Sequence, residues 1–439
     1  MNGIVAGFMA IGLEPYWSQF EGMREKCEYH HQVLKGKFDC SKVRIEDVGI
    51  VDSEKLAREA GKLFAEKKVD VIFCHMLTYA SSVYIVPVIR ELNVPFIILN
   101  VQYRKALDYS EVKTIGDWLG EGITCAGVPE ATAVLSQMGK KFSVITGHME
   151  DDSDVADQIN SWCDAIRIKN RIARHNLGYL GRSYAGMMDL CVNESRIFDK
   201  FGTFVHHLDW QEIIETGKNV DDTELKQRIE TVRQTFELED SVSESDIDCI
   251  ARTAEDLRKM TEKYSLNSWA FHYEFDAPEE QTELLAALNP AMTMLMTEGT
   301  ACVPEGDIRT AIAMIMMKML AGNAMTAELY SMDFNDGTCL IGHSGACDAK
   351  ISSQKAVLKM NILHGKAGKG YVTQFYPEPG PVTMAALTED RYGNFKLIAV
   401  EGMSVEGPRH HGVLVKGHYL KQLEYVADAL DIEFKAIRA

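Results

Sequence analysis

Short apolar runs alternate with amphipathic stretches along the first third of the chain, and this alternation limits the folds available to it. Runs at residues 3–9, 69–75, 95–100 and 142–146 are almost continuously apolar, as strands of a buried parallel sheet are. Between them, residues 53–66 predict an amphipathic helix with Ser53 as its N-cap. Its predicted apolar face consists of Leu56, Ala60, Leu63 and Phe64. We therefore expect a doubly wound α/β fold at this end of the chain.

The length of 439 residues exceeds what one hydrophobic core usually supports, so several domains are expected. The pattern predicts two Rossmann-like doubly wound α/β domains, at residues 1–172 and 173–300. The second is based on predicted strands at 203–208 and 268–275 with two charged helices between them. No GxGxxG motif follows a predicted strand, so a dinucleotide site is not indicated.

A different pattern begins at residue 301. Asp307 is placed to cap a helix over 308–320 that is apolar on several sides, as a helix buried between layers is. Alternating strands and turns follow, and a last amphipathic helix is predicted over 419–430. We therefore predict a C-terminal antiparallel β-barrel-like domain at 301–439. Its predicted strands are 338–341, 371–376, 382–387, 396–400 and 411–415.

The charge of the chain disfavours two classes of partner. A formal net charge of −18, with no lysine- or arginine-rich run, would repel phosphate backbones and anionic lipid head groups. The first residues lack a basic region, and no apolar run of 18 residues occurs. We therefore expect a cytoplasmic protein that binds neither nucleic acid nor a membrane.

The ten cysteines are scattered along the chain, which favours free and mostly buried thiols over a disulfide framework. Cys339, His343 and Cys347 are regularly spaced, which raises a zinc site as an alternative. This spacing lacks a CxxC pair and a second half, so we favour free thiols here as well.

Two carboxylates and two imidazoles in the last third are candidate ligands of a catalytic divalent metal. They are Glu305, Glu328, His343 and His411, each at the edge of an apolar element. This mixture suits a first-row ion such as Mn²⁺ better than calcium or a structural zinc ion. Each residue also has an ordinary interpretation, since acidic residues cap helices and single histidines form structural hydrogen bonds. Adjacent strand residues face opposite sides, so only one of His410 and His411 is expected to face the metal.

The order and local sequence of these residues resemble the L-arabinose isomerase family and, more distantly, the L-fucose isomerases. Glu305 lies in PEGD before an apolar helix, Glu328 in AELYSMDF and His343 in LIGH, and residues 410–434 read HHGVLVKGHYLKQLEYVADALDIEF. Residues 143–148, SVITGH, and residues 178–192 continue the likeness upstream. It is most specific from residue 305 onward.

The resemblance implies a catalytic Mn²⁺, or another divalent first-row metal, held by these two glutamates and two histidines. It also implies sites where subunits meet, and so a homo-oligomer, a trimer or a hexamer. The chain departs from the family in being shorter, in a compressed Glu328–His343 interval, and in Met149 where the family usually has tryptophan. L-arabinose is therefore not assumed, and the sequence names neither the sugar nor any phosphate or sulfonate on it.

The implied activity is aldose–ketose isomerisation of a sugar through an enediolate, with Glu305 and Glu328 as the general base and acid. His148 and Arg182 are candidate contacts to hydroxyls or to an anionic group. The equally weighted alternative is that His148 is a structural histidine at a strand end and Arg182 a surface residue. Tyr16 and Trp17, after the first strand, are further candidates, with a core or interface role as the alternative. Two other functions remain open: a sugar-acid epimerase or dehydratase using the same metal, and a non-enzymatic sugar-binding regulator.

Overall fold

The chain divides into two compact units, Met1–Arg167 and Ile168–Ala439. The computed structural model describes residues 3–90, 92–121, 124–150, 153–218, 220–272, 279–335, 337–343, 345–362, 369–405 and 413–438. The predicted boundary between residues 300 and 301 lies inside the second unit and stays a prediction.

The first unit contains a five-stranded parallel sheet. Its strands are β1 (Ile4–Ile11), β2 (Val43–Val51), β3 (Val71–Met76), β4 (Phe96–Gln102) and β5 (Phe142–His148). Its helices are α1 (Pro15–Gln19), α2 (Met23–Lys35), α3 (Glu54–Glu66), α4 (Val86–Ile89), α5 (Ile115–Glu121), α6 (Val128–Gln137) and α7 (Ser153–Ile172), the last of which ends in the second unit. The strand order is β2-β1-β3-β4-β5, and every pairing is parallel. The predicted α/β fold with a parallel sheet is confirmed for this unit.

Strand β2 was not predicted, because it carries charged residues. It lies at an edge of the sheet, where one side of a strand can stay polar. Asp47 on β2 accepts hydrogen bonds from Lys35 Nζ at 2.9 Å and lies 2.9 Å from Nε2 of the buried His31. The charged residue Asp47, which obscures the apolar pattern of the strand, therefore links β2 to α2 through side-chain contacts.

Helix α3 begins as predicted but is rotated from the predicted orientation. The hydroxyl of Ser53 accepts a hydrogen bond from the Leu56 amide, which confirms the N-cap. Leu56 is exposed, and the buried face consists of Ala57, Ala60, Gly61 and Phe64. A Cβ at Gly61 would lie 3.1 Å from the backbone of Val88, so the close approach of α4 selects this face of small residues.

The second unit contains a parallel sheet and three further sheets. Its strands are β6 (Asn176–Leu180), β7 (Phe204–Leu208), β8 (Phe236–Leu238), β9 (Ser268–Phe271), β10 (Ala301–Val303), β11 (Met325–Thr326), β12 (Glu328–Asp333), β13 (Thr338–Gly342), β14 (Ala356–Ile362), β15 (Lys369–Gln374), β16 (Gly380–Glu389), β17 (Phe395–Ser404), β18 (Val413–Lys416) and β19 (Glu433–Arg438). Its helices are α8 (Glu194–Phe201), α9 (Trp210–Gly217), α10 (Asp222–Thr235), α11 (Glu244–Lys263), α12 (Glu279–Thr297), α13 (Ile308–Ala321) and α14 (Leu420–Leu430). Strands in the order β10-β9-β6-β7 pair in parallel, as a second Rossmann-like unit requires.

A buried histidine joins three strands of this sheet at their amino ends. His175 Nδ1 lies 3.1 Å from the Thr203 hydroxyl, and its Nε2 lies 2.7 Å from the Ser268 hydroxyl. Burial lowers the pKa of His175 to about 3, so the ring is neutral and hydrogen-bonds as an uncharged group.

Helix α13 lies between two layers, as its apolar composition predicts. It packs against β9 and β10 of the parallel sheet and against β16 and β18 of another sheet. Residues 311–317 are all buried. The Asp307 carboxylate accepts a hydrogen bond from the Thr310 amide at 3.0 Å, which confirms the predicted cap.

The described strands that follow α13 form open sheets. One has the order β11-β18-β16-β17-β19, in which β17 and β19 pair in parallel and the other pairs are antiparallel. β12 and β13 form an antiparallel ribbon, and β14 lies between β15 and β8. No closed barrel is found in these ranges, so the predicted barrel is not confirmed. The physical reason is β19, which adds in parallel at one edge while β11 remains at the other.

Two predictions from composition, on the cysteines and on membrane-spanning segments, can be compared with the structure. The ten cysteines are all free. Among the helices of the described ranges, none is long and apolar enough to span a bilayer.

The buried His75 of β3 should make the first unit sensitive to acid. Burial lowers the pKa of His75 from 6.5 to about 3, so the folded state binds fewer protons than the unfolded state between these values. The stability contributed by the neutral ring is fully present above pH 6.5 and is lost as the pH falls from 6.5 towards 3. We expect His75→Phe to reduce the pH dependence of the free energy of unfolding by roughly 1 kcal/mol per pH unit.

Urea unfolding at pH 7 and at pH 5 measures this difference. The fully buried Phe73 of the same strand provides the control, because it has no titrating group and Phe73→Leu should lower the stability without changing its pH dependence. An unaltered dependence in His75→Phe would show that His75 does not titrate as described.

Candidate functional site

The carboxyl edge of the second parallel sheet brings two predicted site residues into adjacent loops. Since β6 and β10 run in the same direction, the residues that follow them, Arg182 and Glu305, meet at this edge. The Tyr184 amide donates a hydrogen bond to the Glu305 carbonyl at 3.0 Å. A Cβ at Gly306 would lie 3.0 Å from the Arg182 carbonyl oxygen, so the contact requires glycine there. Arg182 itself is exposed, and Glu305 is half-buried.

Glu305 has a strained backbone. Its φ of 65° and ψ of 3° lie in the left-handed region, where a residue with a Cβ is disfavoured by about 1–2 kcal/mol. It lies in the turn Pro304–Gly306 between β10 and the cap of α13. Such strain persists only where the surrounding structure imposes it, and it concentrates at functional sites.

The ribbon of β12 and β13 brings Glu328 and His343 together. Glu328 is the first residue of β12 and pairs with Gly342, the last residue of β13. His343 is the next residue after that pair. Their proximity therefore follows from the pairing at this end of the ribbon, although the register shifts between Leu329 and Ser331.

The loop after His343 then meets the turn that carries Glu305. A Cβ placed on Gly345 would lie 3.1 Å from His343 Nδ1 and 3.6 Å from Pro304 Cβ. Gly345 therefore occupies a cradle between the imidazole and the proline that precedes Glu305. Three predicted metal ligands thus lie on chain segments that converge within the second unit.

The donor types suit a divalent first-row ion, but the structure does not group the side chains of Glu305, Glu328 and His343 closely enough to hold one. Two carboxylates and an imidazole are oxygen and nitrogen ligands of the kind Mn²⁺ accepts. Within the described part of the chain, no three His, Cys, Asp or Glu side chains are grouped closely enough to hold a metal. His410 and His411 lie outside the described residues. The complete four-ligand set therefore stays a prediction.

The zinc alternative gains nothing from the structure. Cys339 is exposed on β13, and Cys347 is buried. Burial raises the pKa of the Cys347 thiol to about 12, so the thiolate that zinc requires is disfavoured.

An open cavity adjoins the ribbon. Its volume is ≈ 1020 Å³, and it lies between β12–β13 and the sheet of β16, β17 and β18. Leu329 and Ile341, which line it, are neighbours of Glu328 and Gly342. The cavity is large enough for a small molecule, but the residues that line it include neither Glu328 nor His343.

The other predicted contacts lie in the first unit. Tyr16 and Trp17 belong to α1, directly after β1, and His148 ends β5. In the order β2-β1-β3-β4-β5 the connections reverse between β1 and β3, where open α/β sheets bind ligands. The Trp17 indole N–H donates to Asp52 at 2.9 Å, and both aromatic rings pack on buried residues of this unit. These contacts agree with the core role that was the alternative for Tyr16 and Trp17, and they do not test substrate binding.

Two residues at strand ends were not predicted. Asp52 follows β2 and accepts hydrogen bonds from both Trp17 and Arg24. Because β2 was not predicted, Asp52 was not recognised as a residue at the carboxyl end of a strand. His272 follows β9, is buried, and lies 5.0 Å from the Tyr184 ring. The predicted strand 268–275 ran past it. A strand ending at Phe271 would have marked His272 as a residue at the same edge as Glu305.

Comparison with known proteins finds similarity to L-arabinose isomerases. Residues 30–173 match the family model described as the L-arabinose isomerase N-terminal domain. The L-arabinose isomerase of Shouchella clausii is 22% identical over 345 residues, 77% of this chain and 68% of that protein. For Klebsiella pneumoniae the identity is 21%, covering 69% and 62%, and for Shewanella sp. strain ANA-3 it is 23%, covering 61% and 54%. The matches thus span roughly half to two thirds of these relatives.

These matches support the resemblance to the L-arabinose isomerases. The family model describes an N-terminal domain, so it does not test the motifs from residue 305 onward. Among solved structures, an open, ligand-free substrate-binding protein from Clostridium difficile overlaps with a TM-score of 0.17 at 12% identity, covering 69% of this chain and 74% of that one. That score is too low to indicate a shared fold.

The strained backbone at Glu305 can be tested by comparing two substitutions that both remove the carboxylate. Glycine adopts the left-handed conformation without a Cβ penalty, and alanine does not. We expect Glu305→Gly to be more stable than Glu305→Ala by about 1 kcal/mol, measured by urea unfolding.

The same pair of substitutions at the exposed Glu424 of α14 is the control. Within a helix alanine is favoured over glycine by about 1 kcal/mol, so the order should reverse there. If alanine were also the more stable substitution at position 305, the left-handed backbone would not be imposed in solution.

Proposed function

We propose that this chain, a divergent relative of the L-arabinose isomerases, is a metal-dependent aldose–ketose isomerase of a sugar or sugar derivative. The proposal rests on one structural observation: the turn with Glu305, the start of β12 with Glu328 and the loop after His343 lie on neighbouring segments of one unit. Their side chains are not grouped closely enough to hold a metal in this structure, and His411 lies outside the described residues. The family match supports the reaction class.

The metal would be held by Glu305, Glu328, His343 and His411. Mn²⁺, or another divalent first-row ion, would supply positive charge beside two adjacent sugar oxygens and so offset the negative charge that develops during enolisation. The two carboxylates would be ionised as ligands, and both imidazoles would be neutral.

The chain's own contribution to the reaction is the transfer of one proton. In the open-chain aldose, one of Glu305 and Glu328 removes the proton from C2, and the electron pair moves to form the C1–C2 double bond of an enediolate. A proton is then delivered to C1, and the proton of the O2 hydroxyl passes to O1, so that O2 becomes the ketose carbonyl and O1 becomes a hydroxyl. C2 is oxidised and C1 is reduced, so no external oxidant is needed. The hydrogen bond from the Tyr184 amide to the Glu305 carbonyl would hold the backbone of this residue in place during such a transfer.

Substrate selection is assigned to residues around this pair. Arg182, on the loop that contacts the Glu305 turn, would bind a hydroxyl or an anionic substituent such as a phosphate or sulfonate. His148, Tyr16 and Trp17 would add contacts from the first unit. The cytoplasmic location and the homo-oligomeric state, a trimer or hexamer, belong to the same proposal.

Replacing either carboxylate by its amide should abolish turnover. Glu305→Gln and Glu328→Gln keep the side-chain volume but remove the group that accepts the proton, so we expect kcat to fall at least about 100-fold. Ketose formation from a panel of pentoses, hexoses, deoxy sugars and anionic sugars measures this, with the urea midpoint as a check on folding.

Glu424→Gln, on the exposed face of α14, is the matched control and should retain activity. Normal turnover in both site variants would overturn the proposal. Incorporation of solvent deuterium at C1 or C2, with product identification, separates isomerisation from epimerisation or dehydration of a sugar acid.

Removal of the metal should also abolish turnover, and its return should restore it. After treatment with chelator and refilling with Mn²⁺, we expect about one ion per chain by elemental analysis. Full activity of the metal-free protein would contradict the metal dependence. Tight sugar binding without turnover and without metal would favour the alternative function, a non-enzymatic sugar-binding regulator.

A further inference from the structure

Exposed apolar side chains are concentrated on the ribbon of β12 and β13 and at the end of β17. Phe334, at the turn of the ribbon, is 89% exposed, and Met403, near the end of β17, is 64% exposed. The others, each more than half exposed, are Leu329, Tyr330, Met332 and Val405. All of them except Tyr330 line the open cavity beside the ribbon. We call these six residues the ribbon patch; a group of this size on one surface marks an interaction site.

The ribbon has little support from the rest of its own chain. In the described part of the chain its two strands pair only with each other, and neither makes an extensive contact with a third helix or strand. Ile341, near the base, packs against buried residues of the second unit, whereas the side chains nearer the turn are exposed. An isolated two-stranded hairpin is at best marginally stable in water. A further surface that covers the ribbon would therefore stabilise it.

The surroundings of the ribbon patch are poor in charge. Of the 19 described residues that line the cavity, Asp333 and Glu401 are the charged ones, although 25% of the whole chain is charged. The Asp333 carboxylate accepts a hydrogen bond from the Asn335 amide at 2.8 Å, and Glu401 accepts one from the Leu420 amide at 2.9 Å. Depletion of charged residues is typical of the core of an interface between proteins. Two copies of a chain with a net charge of −18 therefore repel each other less here than elsewhere.

The amount of exposed apolar surface suits a protein partner better than a small molecule. Since a large aromatic side chain buries about 150–250 Å² when it is fully covered, the six side chains together offer on the order of 600 Å². This approaches the roughly 800 Å² that each partner contributes to a stable interface of standard size. A small molecule in the cavity would leave Tyr330 in water, because this residue does not line the cavity.

A second copy of this chain fits the ribbon patch because the patch combines a projection with a depression. The exposed turn of the ribbon is the projection, and the adjoining cavity of ≈ 1020 Å³ is the depression. Two copies related by a twofold axis can each place their ribbon against the cavity of the other. Such an isologous contact uses the same surface twice, so it covers both ribbons and both cavities.

We propose that the ribbon patch is a reciprocal interface between two copies of this chain, in which the ribbon of each copy covers the cavity of the other. The inference goes beyond the proposed isomerase activity, because it requires neither the metal nor the reaction. It names a surface through which the proposed homo-oligomer would form.

The first test is the mass of the particle in solution, measured by sedimentation over a range of protein concentrations. Met332→Glu combined with Phe334→Glu adds two carboxylates beside Asp333 on an exposed surface, where they do not disturb a core. Like charges then meet across the reciprocal contact, so we expect the association of the two copies to weaken at least about 100-fold. The mass should fall to half of the wild-type value.

A second pair of exposed aromatic residues provides the matched control. Phe198 on α8 and Phe204 on β7 are both about half exposed, and their ring centroids are 6.3 Å apart. Phe198→Glu combined with Phe204→Glu makes the same kind of change in the same unit and should leave the mass unchanged. Equal dissociation of this control would show general charge repulsion and would overturn the inference.

The free thiol of Cys339 reports on the same surface. This residue lies on β13, lines the cavity and is exposed in the single chain. Because reciprocal pairing covers it, we expect a maleimide to alkylate Cys339 at least about 10-fold more slowly in the wild-type particle than in the Met332 and Phe334 variant. The exposed Cys191, outside the ribbon patch, should react at the same rate in both.

The outcomes decide the inference independently of catalysis. A wild-type particle that is a monomer, or that contains an odd number of chains, would overturn reciprocal pairing. An unchanged mass of the Met332 and Phe334 variant would do the same, as would rapid alkylation of Cys339 in the wild-type particle. Slow alkylation of Cys339 in a monomer would assign the cavity to a small ligand instead. If the double variant does not fold, Phe334→Ser alone decides by the same criteria.

Failure of the proposed function gives a different result. Absence of ketose formation, with the wild-type mass halved in the double variant, would overturn the isomerase activity and leave the interface in place.

Discussion

The burial of helix α13 between two sheets is the constraint on which the rest of the candidate site depends. Its sides are apolar almost all round, so neither sheet alone could cover it, and its axis is fixed by β9 and β10 on one side and β16 and β18 on the other. Both ends of this helix then acquire defined positions. Its start carries the Glu305 turn, and its last turn carries Lys318.

Parallel pairing explains why the loops around Glu305 come so close. The carboxyl ends of β6, β9 and β10 meet at one edge, and the loops that leave them have little space. A Cβ at Gly181 would lie 2.7 Å from the His272 carbonyl oxygen, and a Cβ at Gly306 would lie 2.9 Å from Ser183 Cα. Glycine at these two positions allows backbone contact where any side chain would separate the loops. The strain at Glu305 then follows from the surrounding contacts, since the turn cannot relax without moving the loop after β6.

What the sequence could predict was local. Strand β1 is apolar over its whole length and helix α13 over most of its length, and Ser53 and Asp307 cap helices by contacts within three residues. Helix α12 was missed because Pro290 lies inside it, which ordinarily signals a helix end. The barrel was predicted from alternating strands, but the partner of β19 is decided by non-local pairing that periodicity does not encode. For the candidate site, the residue types pointed to Glu305, Glu328 and His343. The ion pair between Lys318 of α13 and Asp348, which lies after the ribbon, gives no local signal because its partners are far apart in the sequence.

The residues proposed for proton transfer and those proposed for substrate contact lie in different units, and their structural surroundings differ. The residues proposed for proton transfer lie in the second unit, on a strained turn and a strand register that tolerate little change. The predicted contacts Tyr16, Trp17 and His148 lie at strand ends of the first unit. Met149, where the family usually has tryptophan, is 5% exposed, and its amide donates to Gln102 at 3.0 Å. A smaller, flexible side chain at such a buried position changes the packing directly beside His148 while the backbone contact is kept. The packing around His148 therefore differs from that expected in the family, and this difference is a physical reason for not assuming L-arabinose as the substrate.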